Sequence, residues 1–268
     1  MLSAGVLDSI YIIAKARKPK RDAVDWARSI GFDPDPWQAD LLMGEAPNTQ
    51  VNCSRQSGKT TTTGILGAHG ARFTEGMQTV ILAPGKRQGG ILMRKIKWAL
   101  RRDEWPVKPR INNEFELVLE NDASVLVLPG SEETSRGPSG IDRLMVEEAS
   151  RVEDELHIAM LPILATRPKA REWQLSTPFG TRGFFYERWK LIQAGKASNW
   201  QYFEITADEC PRISKEYLAE MRAEMGEWWY EQEFYCKFKD AIDSAFRAVD
   251  IERMIDEEME SWSLTLAS

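Results

Sequence analysis

Apolar and polar residues change rhythm repeatedly along this chain, and each change marks an element. "TQVNCS" (49–54) is a short strand that runs straight into a glycine loop, and "KTTTTGILGAHGARF" behind it predicts a helix despite its β-branched threonines. "QTVILAP" (78–84) reads as a buried strand, followed by a helix in "RQGGILMRKIKWALRR". "EFELVLENDASVLVLPG" alternates apolar and polar on either side of Asn121 and Asp122, the pattern of a β-hairpin. "RLMV" is a compact apolar strand ending in two acids, and "WQLSTP" and "QYFEIT" are two more strands with a helix, "GFFYERWKLIQA", between them. Strand and helix alternate throughout, which predicts a mostly parallel sheet covered by helices.

After Cys210 the pattern shifts to helix and aromatic clusters in "SKEYLAEMRAEMGEWWYEQEFYCKF", with Ser214 as a cap and Gly226 as a stop or kink. The expected organisation is therefore an α/β core over 1–207 and a small helical subdomain over 208–268. At 268 residues and 43% hydrophobic content the chain has enough material for a core of this size. Cys53, Cys210 and Cys236 are too few and too scattered for a disulfide framework, which suggests a reducing compartment, and His69 and His157 add no zinc spacing. No apolar run approaches the ~20 residues that span a bilayer. The net charge of -6 argues against a nucleic-acid partner, but its distribution weakens that objection. Basic residues gather in "KARKPKR" (15–21) and again from Lys86 to Arg110, while "DEEMES" near the end is acidic. A solvated helix face explains each basic run taken alone.

The chemistry concentrates in two stretches. A triphosphate site needs backbone N–H groups at a helix N-terminus, a lysine, a hydroxyl for Mg²⁺ and an acid. "SRQSGKT" (Ser54, Arg55, Gln56, Ser57, Gly58, Lys59, Thr60) offers the first three, between a strand and a helix. Cys53 stands where the usual GxxxxGK[ST] pattern has its first glycine. "LMVEEAS" supplies the acid: Glu147 is expected near Mg²⁺ and Glu148 beside the attacking water. A pair of surface glutamates starting a helix explains the same letters. Arg55 lies inside the loop, and Arg136, in "SRGPSG", is the arginine best placed to reach another subunit. Trp37 and Gln38 are candidates to stack on and hydrogen-bond an adenine, or else parts of a helix start; Ser176 and Thr177 in "LSTPFG" are candidate sensors of the γ-phosphate, or a plain turn.

In order and spacing, "WQ", "SRQSGKT", "SRGPSG", "LMVEEAS" and "LSTP" resemble the ATPase domain of the large terminase subunit of tailed bacteriophages, over roughly residues 30–240. The resemblance implies a P-loop NTPase of the ASCE, RecA-like class with a small helical lid. It implies Lys59 and Thr60 on phosphate and Mg²⁺, Arg55 at the γ-phosphate, Gln38 on adenine and Glu148 as the catalytic glutamate. It further implies Ser176 and Thr177 as a coupling motif, Arg136 acting in trans between ring subunits, and the lid in "GEWWYEQEFYCKF". ATP is the implied substrate and Mg²⁺ the cofactor. The implied partners are double-stranded DNA, other copies of the chain in a ring on a portal, and a small terminase subunit, with no membrane. The implied place is the host cytoplasm, at the procapsid portal during packaging and not in the mature virion.

Two departures stand against the pattern. The metal-side acid is Glu147 where aspartate is usual, and the chain ends at Ser268, too early for the family's C-terminal nuclease, so no nuclease activity is expected. A helicase-like DNA-remodelling ATPase and a nucleotide- and DNA-binding module without turnover are the alternatives.

Overall fold

The computed structural model describes residues 21–44, 48–104, 107–130 and 140–240. Arg136, the acidic run from Asp256 and the part of the helical-subdomain expectation that covers 241–268 lie outside the described residues.

Among the described residues eight strands form one sheet in the order β3-β4-β5-β2-β6-β7-β1-β8. They are β1 (Asn48–Cys53), β2 (Gln78–Ala83), β3 (Pro109–Asn112), β4 (Glu116–Leu119), β5 (Ser124–Pro129), β6 (Arg143–Glu147), β7 (Arg171–Ser176) and β8 (Trp200–Ile205). From β5 to β8 the sheet is parallel, with Val51 of β1 level with Leu175 of β7 on one side and Phe203 of β8 on the other. The alternation expected of β-hairpin 114–130 is present: β4 and β5 pair antiparallel, and Asp122 at the turn has a φ of 63°. The exposed edge strand β3 has no counterpart in the sequence reading.

Period-2 geometry divides each central strand between two cores. Val80 and Leu82 of β2, with Leu144 and Val146 of β6, face α5 (Asp154–Met160) and α6 (Gly183–Gln193), where Phe185 and Met160 fill the layer. Ile81 and Met145 point the other way, into a larger core with Trp26 of α1 (Ala23–Ser29), Leu41 of α2 (Pro36–Met43), Ile65 of α3 (Lys59–Phe73) and Ile96 of α4 (Lys86–Arg101). Burial on both faces is what a parallel sheet between helix layers demands, and it explains the near-continuous apolar runs. Trp37 belongs to this second core and is buried in it, in keeping with the helix-start reading of "WQ".

Helix α4 is amphipathic. Leu92, Met93, Ile96 and Leu100 are buried, while Lys86, Arg87, Arg94 and Arg101 are exposed. Its end is tied to α3 by an ion pair between Arg72 and Asp103, both almost wholly buried. Helix α7 (Lys215–Phe234) begins where the cap predicted: the Ser214 hydroxyl accepts from the Tyr217 N–H at 3.1 Å. Gly226, with φ 74° and ψ 160°, breaks it into two segments, a conformation that glycine reaches without a Cβ penalty. Its second segment packs Tyr230 and Phe234 against Ala207 and Leu218. Among the described residues no helix is long and apolar enough to cross a membrane.

Candidate nucleotide-binding site

Strand β7 lies between β1 and β6, so the C-terminal ends of three neighbouring parallel strands converge, the position where open α/β sheets take ligands. From β1 comes the loop Ser54 to Gly58, from β6 the acids Glu147 and Glu148, and from β7 Ser176 and Thr177. Together they border a cleft of about 300 Å³ lined by Ser54, Arg55, Ser57, Lys59, Glu148 and Thr177, with Gln56, Gly58, Thr60 and Thr61 completing the wall.

The loop turns tightly because Gln56 (φ 61°) and Gly58 (φ 93°) are left-handed. At Gly58 the φ disfavours a side chain, and a Cβ would stand 2.7 Å from Gln38 Nε2 and force that amide to move. Lys59 then opens α3, a 15-residue helix whose first residues, Lys59 to Thr61, line the cleft. Such a terminus favours anions.

The two acids reach the loop by different routes. Glu147 ends the strand, and its Oε1 accepts from Thr60 Oγ1 at 2.8 Å. Glu148 leaves the strand in a left-handed conformation (φ 52°, ψ 45°), which turns its carboxylate to the same side, and its Oε1 accepts from Lys59 Nζ at 2.7 Å. Strained non-glycine residues of this kind concentrate at functional sites. Burial pushes the Glu147 carboxyl above the ordinary carboxylate range despite the nearby Lys59 cation, and its Oε2 is buried without a hydrogen-bond partner. Burial opposes the Lys59 charge, but in the alkaline range where the lysine would titrate the attraction of the Cys53 thiolate, then of Glu148 and Glu147, outweighs it and the ammonium holds its proton more firmly than usual. Cys53 lies under the loop, and burial pushes its thiol up to about 11, so it contributes no charge at neutral pH. The missing first glycine is thus a packed, neutral side chain that donates to Ser176 O across to β7.

Hydroxyls link the acid strand to β7. Ser176 Oγ accepts from the Ser150 N–H at 3.1 Å and lies 2.7 Å from Ser150 Oγ, which itself donates to Thr177 O at 2.7 Å. Ser176 is fully buried, whereas Thr177 reaches the cleft. Gln38 is also fully buried and lies behind the loop: its Oε1 accepts from Asp35 N at 2.9 Å and its Nε2 approaches Ser57 O at 3.4 Å. Both ends of the amide are engaged within the protein, so Gln38 braces the loop in this conformation.

Arg55 does not project freely. Its N–H donates to Glu233 O at 2.9 Å, and its guanidinium is ion-paired with the Glu233 carboxylate from the last turn of α7. Glu233, Ser150, Asp35 and Arg212 all touch the site's residues, and the sequence reading assigned none of them. No local motif marks Glu233 and Arg212, which tertiary packing brings in, whereas Ser150 stands at the end of "LMVEEAS" and Asp35 forms a capping box with Gln38. Among the described residues no group of three or more His, Cys, Asp or Glu side chains converges as a self-contained metal cage.

By sequence, no protein-family model and no curated protein matches the chain. Solved structures match by shape. The Thermus phage P74-26 large terminase ATPase domain superposes with a TM-score of 0.69 at 19% identity, over 82% of this chain and 99% of that one. The bacteriophage HK97 large terminase gives 0.67 at 13% identity, over 82% of this chain and 55% of that one. The large terminase of a thermophilic bacteriophage, in complex with ADP, gives 0.58 at 13% identity, over 82% and 53%. This chain therefore spans about half of the longer terminases and the whole of the isolated domain, and it has the RecA-like fold of the ATPase domain of phage large terminases.

Proposed function

We propose that the chain is the ATPase domain of a large terminase, hydrolysing ATP with Mg²⁺ to drive double-stranded DNA into a viral procapsid. The observation that carries this reading is the pairing of Lys59 with Glu148 and of Thr60 with Glu147, which joins the end of β6 to the N-terminus of α3 behind β1, on either side of β7. Bound ATP displaces Glu148 from Lys59, so that the lysine neutralises the phosphates and the freed carboxylate orients and deprotonates water. The loop N–H groups and Gly58 let the backbone approach the phosphates.

Thr60 Oγ1 and the unpartnered Glu147 Oε2 are hard oxygen donors of the type that binds Mg²⁺, an ion which usually takes one or two protein ligands and completes its shell with phosphate and water. The ion, when bound, neutralises charge on the β and γ phosphates. Arg55 approaches the γ-phosphate once it leaves Glu233, Gln38 holds the adenine side of the loop, and Ser176 and Thr177 transmit the state of the site through β7. Arg136 completes the site of a neighbouring subunit in a ring on the portal, with the small terminase subunit as a further partner and the host cytoplasm as the place of work. The segment from residue 208, including α7, serves as the lid.

The basic stretch from Lys86 to Arg110 is the surface we assign to DNA. Lys86, Arg87, Arg94, Arg101, Lys108 and Arg110 are all exposed within it, despite a net charge of -6 for the chain. Phosphate contact of this kind ignores base sequence, as a translocating motor requires, and it weakens steeply with salt.

The test is ATP turnover per chain against protein concentration, in Mg²⁺. Specific activity that climbs with concentration, and loses the climb in Arg136→Ala, is the expected result. Flat activity assigns a complete site to each chain, and no turnover at any concentration supports a binding module in place of a motor.

A further inference from the structure

Arg212, in the connection between β8 and α7, stands at the phosphate loop without a part in the hydrolysis just described. Its guanidinium is ion-paired with Asp35: Nη1 donates to Oδ1 at 2.9 Å, and Nη2 lies 2.6 Å from Oδ2, close in charge though not aligned as a second hydrogen bond. Nη2 also donates to Ser57 O at 3.1 Å. The same carbonyl is approached by Gln38 Nε2 from the other side, and Gln38 in turn accepts from the Asp35 N–H. Nη2 comes so near the apex that a Cβ on Gly58 would lie 3.0 Å from it. The connection touches the start of the loop as well, with Cys210 Sγ 3.9 Å from Ser54 Oγ. The loop apex is therefore clamped between two segments far away in sequence, 33–38 and 206–214.

Charge gives this clamp a consequence that packing alone does not have. The Asp35 side chain is 11% exposed and sits beside a loop whose proposed ligand is an anion. Arg212 neutralises it, and a planar guanidinium can hydrogen-bond the carboxylate through one nitrogen and the Ser57 carbonyl through the other. We propose that Arg212 is a positioning residue of the nucleotide site: it fixes the Ser57–Gly58 apex and screens Asp35, so that affinity for phosphate depends on a residue at the root of the lid. This rests on the proposed nucleotide site, and it assigns to Asp35 a negative influence that only Arg212 suppresses.

Equilibrium binding of a fluorescent ADP analogue with Mg²⁺ tests it in the parent, Arg212→Ala, Arg212→Lys, Asp35→Asn and the double variant Asp35→Asn/Arg212→Ala, at low and high salt, with melting temperatures measured alongside. Arg212→Ala is expected to weaken binding on the order of ten-fold, because it leaves a carboxylate uncovered beside the phosphates. Arg212→Lys falls between it and the parent, since the charge stays while the fork is lost. The double variant recovers most of the loss, and the penalty of Arg212→Ala shrinks as salt rises. A purely structural clamp gives the opposite ranking, with the double variant at least as weak as the single one, and that result overturns the proposal, as does parental affinity in Arg212→Ala. A parent that binds no nucleotide refutes the site itself; a parent that binds, with variants that bind equally well, refutes only the role of Arg212.

Discussion

Glu148→Gln is expected to tighten nucleotide binding while abolishing turnover. In the free site Glu148 Oε1 holds Lys59 Nζ at 2.7 Å, so a nucleotide has to break that pair before the lysine can serve the phosphates. Two unit charges at this separation attract by about 6 kcal/mol at an effective dielectric near 20. The net worth is smaller, since a hydrogen bond to a charged group contributes roughly 1.5–3 kcal/mol. The Glu148 side chain is 28% exposed, so solvent screens it further, and about 1–2 kcal/mol is the part a glutamine forfeits. That predicts roughly 5- to 30-fold tighter binding. The gain divides in an informative way. Release of Lys59 helps ADP and ATP alike, whereas removal of carboxylate repulsion helps the γ-phosphate alone, so ATP should gain more than ADP. Calorimetric titration of both nucleotides with Mg²⁺ into the parent and the variant measures both effects. Unchanged or weaker ATP binding in Glu148→Gln would refute the view that Glu148 competes with the phosphates for Lys59.

Three other outcomes follow from the same geometry. An acid such as Glu147, raised by burial above its ordinary 4.5, binds its proton more readily folded than unfolded, so folding stability falls as pH rises through the interval between the two values. Glu147→Gln removes that slope: its melting temperature relative to the parent should increase as the buffer goes from acidic to mildly alkaline, and a constant difference would contradict the burial argument. Asp103→Ala leaves the Arg72 cation buried without its carboxylate and should cost about 3–5 kcal/mol in urea unfolding, with much of it restored when Arg72 is replaced by Met as well; a loss below about 1 kcal/mol would contradict this. Gly58→Ala, forced into a left-handed φ with its Cβ 2.7 Å from Gln38 Nε2, should fold but lose nucleotide binding, which a titration alongside a melting curve checks.

The central strands were legible because a parallel sheet buried on both faces demands short apolar runs, and "QTVILAP" and "RLMV" have no other economical reading. The hairpin showed in its Asn121–Asp122 turn, and α7 in Ser214 and Gly226, residues whose conformational preferences act locally. Strand β3 escaped because an exposed edge of four residues, "PRIN", carries no alternation. Trp37 stayed open between two readings, since a tryptophan at a helix start presents the same letters whether it faces a ligand or the core. At the site, the loop and the acid pair were visible as contiguous motifs. That Glu148 turns left-handed, bringing both acids to one side, was not, because the backbone conformation is imposed by its surroundings. Arg212 and Glu233 lie 155 and 178 residues from the loop positions they hold, and separations of that size leave no local trace.

Phosphate release from ATP with Mg²⁺, compared between the parent and Lys59→Ala at matched folded fraction, tests the central claim most directly. Measurable turnover in the parent, lost in Lys59→Ala although its melting curve is kept, is the predicted result. Equal release from both proteins, or none from the parent under any condition that supports nucleotide binding, would contradict it.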